Sequence, residues 1–209
     1  MTRKCHALIA FTLLLAVSIA DLWITLHYNP TLSSEANPLV AKLGMKQFGL
    51  IASNLLIVAS LGFAMLFYQK GSRSIPFIPV SDPWEYVGVT LYNKRMTKVE
   101  LWRAFLLCWP LPSNWHQFFR FAGFLTVWTI VAARTSAVFA WIVIYGLNWA
   151  SYDHFRELIV IAGYPCLELL IGLIVGAIMF RVLVLSEYQI DKHQQNAAEQ
   201  GAAPGRRGW

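Results

Sequence analysis

Four stretches of this chain lack the alternation of apolar and polar positions that marks a half-buried element in a water-soluble protein. Ala7–His27, Phe48–Tyr68, Phe121–Tyr145 and Leu158–Val184 are apolar almost throughout. A helix needs about 20 such residues to cross a hydrocarbon core about 30 Å thick. The pattern therefore predicts an all-α integral membrane protein with four transmembrane helices.

The connection between the second and third stretches, residues 70–120, has a different pattern. Asp82-Pro83-Trp84-Glu85 places an N-cap Asp, an N1 Pro and a capping-box Glu in order. Thr97-Lys98-Val99-Glu100 is a second capping box. After it, Val99, Trp102, Phe105, Leu106 and Trp109 fall on one helical face, and Pro110 ends the run. Lys98 and Arg103 lie elsewhere on the wheel. This spacing predicts an interfacial helix in the cytoplasmic loop, with Trp102, Phe105 and Trp109 inserted among lipid and the cations near phosphates. The alternative reading is a helix docked on the inner ends of the spans. Residues 1–185 thus read as one four-helix membrane domain. Residues 186–209 read as a cytoplasmic tail, disordered from about Asn196, where Ala, Gln, Gly and Arg take over. No internal repeat is evident, so an inverted-repeat transporter design has no support.

Composition sharpens this picture. Of 209 residues, 57% are hydrophobic and 13% charged, against about 25% charged in soluble domains. The formal charge of +6 raises nucleic acid as a partner, but the cations stand in short clusters beside apolar runs, so no nucleic acid is expected. Arg3 and Lys4 precede the first span. Lys70, Arg73, Lys94, Arg95, Lys98, Arg103 and Arg120 lie between the second and third, and Lys192, Arg206 and Arg207 follow the fourth. The other two connections hold only Lys42, Lys46 and Arg156. The positive-inside rule then puts both termini and the long loop in the cytoplasm, for a multi-pass protein of a bacterial inner membrane. Trp23, Tyr28, Tyr145, Trp149 and Tyr152 form the expected outer aromatic belt. The first span has a rival reading: Arg3-Lys4, an apolar run and Ser18-Ile19-Ala20 before Asp21 have the order of a secretory signal and its cleavage site. Apolar character continuing through Trp23, Ile24 and Leu26 favours a retained span.

Recognisable catalytic and cofactor chemistry is sparse. Cys5, Cys108 and Cys166 have no CxxC spacing, which implies neither a disulfide framework nor a zinc knuckle. No histidine lies mid-span to ligate a haem, and there is no HExxH, GxSxG or Gly-rich phosphate loop. His27 and His154 fall at the outer edge and read as solvated interface residues. No cofactor and no metal are expected.

Charges within spans are costly and face the bundle interior or a water-filled cavity. Away from the span ends there are three: Asp21, Arg134 and Glu168. Ser18, Asp21 and Thr25 fall at i, i+3 and i+7, forming one polar stripe. Counted from the expected outer ends, Arg134 and Glu168 lie roughly 16 and 15 Å deep, which predicts an intramembrane ion pair. Glu168, Gly172 and Gly176 are spaced by four, so the carboxylate shares a face with a small-residue packing surface. Asp21, Thr25, Glu35 and Asn37 border one leaflet and form a candidate outer polar cluster. Its oxygen ligands suit a hard cation. The plainer reading is that Glu35 or Asn37 caps a short helix near Pro38 while Asp21 bonds to a neighbouring span.

Asp21-x-x-x-Thr25, followed by Glu35-x-Asn37-Pro38-Leu39, resembles the D-x-x-x-T…E-x-N-P-L signature of an uncharacterised family of small bacterial and archaeal membrane proteins. The resemblance covers about the first forty residues. It implies that these residues belong together and carries no activity with it. Three functions follow as expectations. The leading one is a non-catalytic subunit or assembly factor that packs against partner membrane proteins or copies of itself, with membrane lipid around it. The second is a small ion- or proton-coupled transporter, and the third is a metal-assisted membrane enzyme acting on lipid.

Overall fold

A computed structural model describes residues 3–32, 46–69, 80–107, 109–147, 149, 151, 154 and 167–201. The ordered elements among them are all helical: α1 (Arg3–Tyr28), α2 (Lys46–Gln69), α3 (Pro83–Tyr92), α4 (Lys98–Leu107), α5 (Trp115–Trp141, extended by a π turn over Ile142–Gly146) and α6 (Leu167–Gly201). Four helices are long and apolar enough to cross a membrane, over Lys4–Tyr28, Lys46–Gln69, Trp115–Gly146 and Leu167–His193. The expected start of the fourth span, Leu158, lies outside the described residues. The helix also continues to Gly201, past the point where composition predicts disorder. Ala197, Ala198, Glu199 and Gln200 are strong helix formers, and extending an existing helix carries no nucleation cost.

The chain divides into two compact units, residues 1–71 with 119–178 and residues 72–118 with 179–209. The long loop and the last part of α6 form a unit of their own.

In the first unit, small residues set the helix contacts. A Cβ on Gly62 of α2 would lie 2.8 Å from Phe11 Cε2 of α1. One on Gly123 of α5 would lie 3.0 Å from Ala64 Cβ of α2, and one on Gly172 of α6 2.6 Å from the Thr129 carbonyl oxygen of α5. Such close approach lets dispersion between backbones contribute to holding the helices together. Tyr68 and Phe124 continue the α2–α5 contact at 4.9 Å between ring centroids. Many large apolar side chains instead point outward, among them Leu8, Ile19, Leu55, Leu56, Phe63, Ile174 and Ile178. Between 17 and 28% of each span's apolar window is buried within the protein. A soluble protein rarely leaves so large an apolar surface uncovered. Arg120, expected among the solvated loop cations, is enclosed in this unit, its guanidinium 5.6 Å from the Tyr68 ring and 5.4 Å from the Phe121 ring. Ring quadrupoles favour a cation in that position.

In the second unit both helix starts follow the signals in the sequence. The Asp82 carboxylate accepts from the backbone N–H groups of Trp84 and Glu85, at 2.7 and 3.1 Å. Glu85 reaches one residue further back than a standard box and accepts from the Ser81 N–H and hydroxyl, at 2.7 and 2.8 Å. Thr97 and Glu100 form the reciprocal box: Glu100 accepts from the Thr97 N–H at 2.7 Å, and the Thr97 hydroxyl accepts from the Glu100 N–H at 3.3 Å. Asn93 ends α3 in the left-handed region at φ 54°, and the chain folds back so tightly that a Cβ on Gly88 would lie 2.9 Å from Met96 Cβ. Every residue from Tyr86 to Tyr92 is buried. Asn114 N-caps α5 through Gln117 N–H at 3.3 Å and donates its own N–H to Leu91 O at 3.0 Å. The Tyr188 hydroxyl donates to Ser81 O at 3.0 Å, fixing α6 against the start of α3.

Candidate functional site: a polar clamp among the spans

Two polar groups of the first unit, Asp21 and Asn54, meet at Arg134. Its guanidinium donates from Nη1 to Asn54 Oδ1 of α2, and the same nitrogen lies 3.6 Å from Asp21 Oδ2 of α1. The Arg134 and Asp21 side chains are 12% and 23% exposed. This is a largely buried, charge-assisted contact joining three helices. Asn54 is aimed by its own helix. Its Nδ2 donates to the Leu50 carbonyl at 2.9 Å, which leaves Oδ1 to accept from Arg134.

The position of the clamp follows from helix register. Asp21 and Arg134 each stand seven residues before an aromatic residue, Tyr28 and Trp141, and those rings stack 6.3 Å apart. Tyr145 stacks on both, at 5.4 and 4.9 Å. The two pairs share one sequence offset, so α1 and α5 run parallel and in register over two turns. At 1.5 Å per residue the clamp lies roughly 10 Å below the aromatic layer. Ser18 and Thr25, predicted to share a stripe with Asp21, are both buried on that helix.

The expected Arg134–Glu168 pair is not the one formed. Arg134 is directed to Asp21 and Asn54. Depth is not the reason: Gly172 packs on Thr129 and Ala133, and Gly176 packs on Leu125 and Thr129. Antiparallel packing at that level brings Glu168, one turn earlier, close to the height of Arg134. Direction around the axis is the reason. Thr129 and Ala133 give α5 its face toward α6, and Arg134, the next residue, is turned about 100° away from it. Matched depth without azimuth therefore named the wrong partner. Glu168 stands buried in the first described turn of α6. The predicted packing role of Gly172 and Gly176 corresponds to the α5–α6 contact itself.

The outer cluster divides. Asp21 and Thr25 are buried or half-buried in α1, whereas Glu35 and Asn37 lie outside the described residues. Among the described residues no three His, Cys, Asp or Glu side chains converge as a metal site would require. The residue that sequence reasoning missed is Asn54. An amide in an otherwise apolar stretch is itself a signal, since it carries donors and an acceptor that need partners when buried.

The loop helix supplies a second feature. α4 ends at Leu107, so Trp109 lies just past it, with its N–H donating to Ala104 O at 3.2 Å. Leu101 and Ala104 are buried, while Val99, Trp102, Leu107 and Trp109 are exposed, Trp109 by 72%. Phe105 is half-buried. The face predicted from spacing is thus the outward one, and the helix docks by the opposite side.

No family model, curated protein or solved structure matches the chain.

Proposed function

We propose that this chain is a non-catalytic, multi-pass subunit or assembly factor of a bacterial inner membrane, packing against other membrane proteins or copies of itself. The observation that carries the reading is the clamp. Its three polar groups are turned on one another across three helices, and Asn54 is fixed by its own backbone. Such an arrangement specifies which helices meet. The outward apolar surfaces then face lipid or partner helices, and the uncovered Trp102–Trp109 face of α4 sits in the cytoplasmic headgroup region, where amphipathic tryptophans are most favourable.

Purification of the full chain in a mild detergent tests this. A stoichiometric membrane partner, or a defined homo-oligomer, is expected. A monomer that carries proton- or cation-dependent flux in proteoliposomes, abolished by Asp21→Asn, would replace the reading with a transporter. Lipid turnover dependent on a divalent cation would replace it with an enzyme.

A further inference from the structure

A cleft of about 300 Å³ opens between α1 and α2 at the end where α1 begins and α2 finishes. Phe63, Leu66 and Phe67, spaced i, i+3 and i+4 on α2, form its apolar wall, and Lys4 and Gln69 border it. Phe63 and Leu66 are more than half exposed, and the Phe63 and Phe67 rings meet edge-on at 5.0 Å. The cleft is therefore amphipathic along the helix axes, with a cation and an amide at the helix ends and three apolar side chains deeper in.

We propose that it binds an anionic diacyl phospholipid, with one acyl-chain segment against Phe63, Leu66 and Phe67 and the phosphate at Lys4 and Gln69. Position along the helices decides both ends of the site. Helix termini of a spanning hairpin lie at the headgroup level, where a lysine meets lipid phosphate, while a residue one or two turns inward meets hydrocarbon. A second helix could cover the three apolar side chains. It would, however, have to bring an acid for Lys4. The site rests on the reading that α1 and α2 cross the bilayer and is independent of any partner protein.

Native mass spectrometry of the full chain in detergent, titrated with phosphatidylglycerol or phosphatidylcholine, tests the proposal. A phosphatidylglycerol adduct is expected at about fivefold lower concentration than the phosphatidylcholine one, from about 1 kcal/mol for one lysine near a phosphate. Lys4→Gln should abolish that preference, and Phe67→Ala should weaken both adducts. Lys4 is exposed, so its substitution leaves the fold intact, which the thermal transition would verify. Inorganic phosphate at the same concentrations should not compete. Equal binding of the two lipids, a preference that survives Lys4→Gln, or displacement by inorganic phosphate would each overturn the proposal. Impermeant labelling of cysteines in the connections separately tests whether the hairpin spans the membrane.

Discussion

Removing Asp21 is the most direct test of the clamp. Asp21→Asn keeps the shape of the side chain and deletes the charge facing Arg134. At the observed 3.6 Å, two unit charges in an effective dielectric of about 20 attract by about 4–5 kcal/mol. Mutational experience with buried pairs agrees: removing one partner costs about 3–5 kcal/mol, mostly because the other charge is stranded. Asp21 keeps 23% of its side-chain surface exposed, so the lower end, about 3 kcal/mol, is expected. Arg134→Gln should cost a comparable amount. The double variant should recover part of the loss, giving a coupling above about 1 kcal/mol. Asn54→Ala removes no charge, only the hydrogen bonds to Arg134 and to the Leu50 carbonyl, and polar contacts between spans average about 0.6 kcal/mol with a maximum near 1.7. It should therefore be milder than Asp21→Asn. Reversible unfolding in mixed micelles, followed by tryptophan fluorescence, supplies the free energies. A parallel cycle with Glu168→Gln and Arg134→Gln should be additive within about 0.5 kcal/mol. Coupling in the Glu168 cycle, with none in the Asp21 cycle, would refute the geometry described above.

Four further outcomes are expected. Gly172→Ala places a methyl 2.6 Å from the Thr129 carbonyl oxygen, and the backbone shift it forces should cost about 1–3 kcal/mol in the same unfolding measurement. Gly88→Ala meets Met96 N at 3.0 Å and Lys94 O at 3.1 Å, so it should loosen the loop unit and speed amide exchange in α3 while sparing the spans. The two Ser81 hydrogen bonds, and after them the Arg95 guanidinium, hold the Glu85 carboxyl below its ordinary 4.5, and the Thr97 hydrogen bonds do the same for Glu100. Both groups should titrate by carboxyl NMR below 4.5; because these values are depressed in the folded state, the stability they add is complete above the ordinary value and lost as pH falls through the folded one. Cysteines at Ser33 and Ser151 should react with an impermeant reagent from outside, while one at Ser72 should not; the opposite pattern would invert the orientation.

The sequence by itself determined the helices. Length and apolar content marked the four helices long and apolar enough to cross a membrane, because a helix satisfies its backbone internally whatever it packs against. Local chemistry set the starts of α3 and α4, because an Asp or Thr cap and its Glu act within one turn. The aromatic face of α4 was legible for the same reason, since periodicity reports which residues share a side of one helix, whereas its outward direction came from the structure. Relations between helices required the tertiary structure. Counting along the helix gives Arg134 a height, but its partner depends on rotation about that axis and on which helices become neighbours. The apolar spans carry nearly the same residues on every side, so nothing local marks those choices. The same holds for Arg120, whose enclosure by Tyr68 and Phe121 depends on α2 and α5 meeting, and for Asn54, which becomes part of the clamp only once α2 lies beside α5. Tertiary packing also grouped residues 72–118 with residues 179–209 in one compact unit. Their contacts join residues about a hundred positions apart, as between Ser81 and Tyr188, and no short pattern records such a pairing.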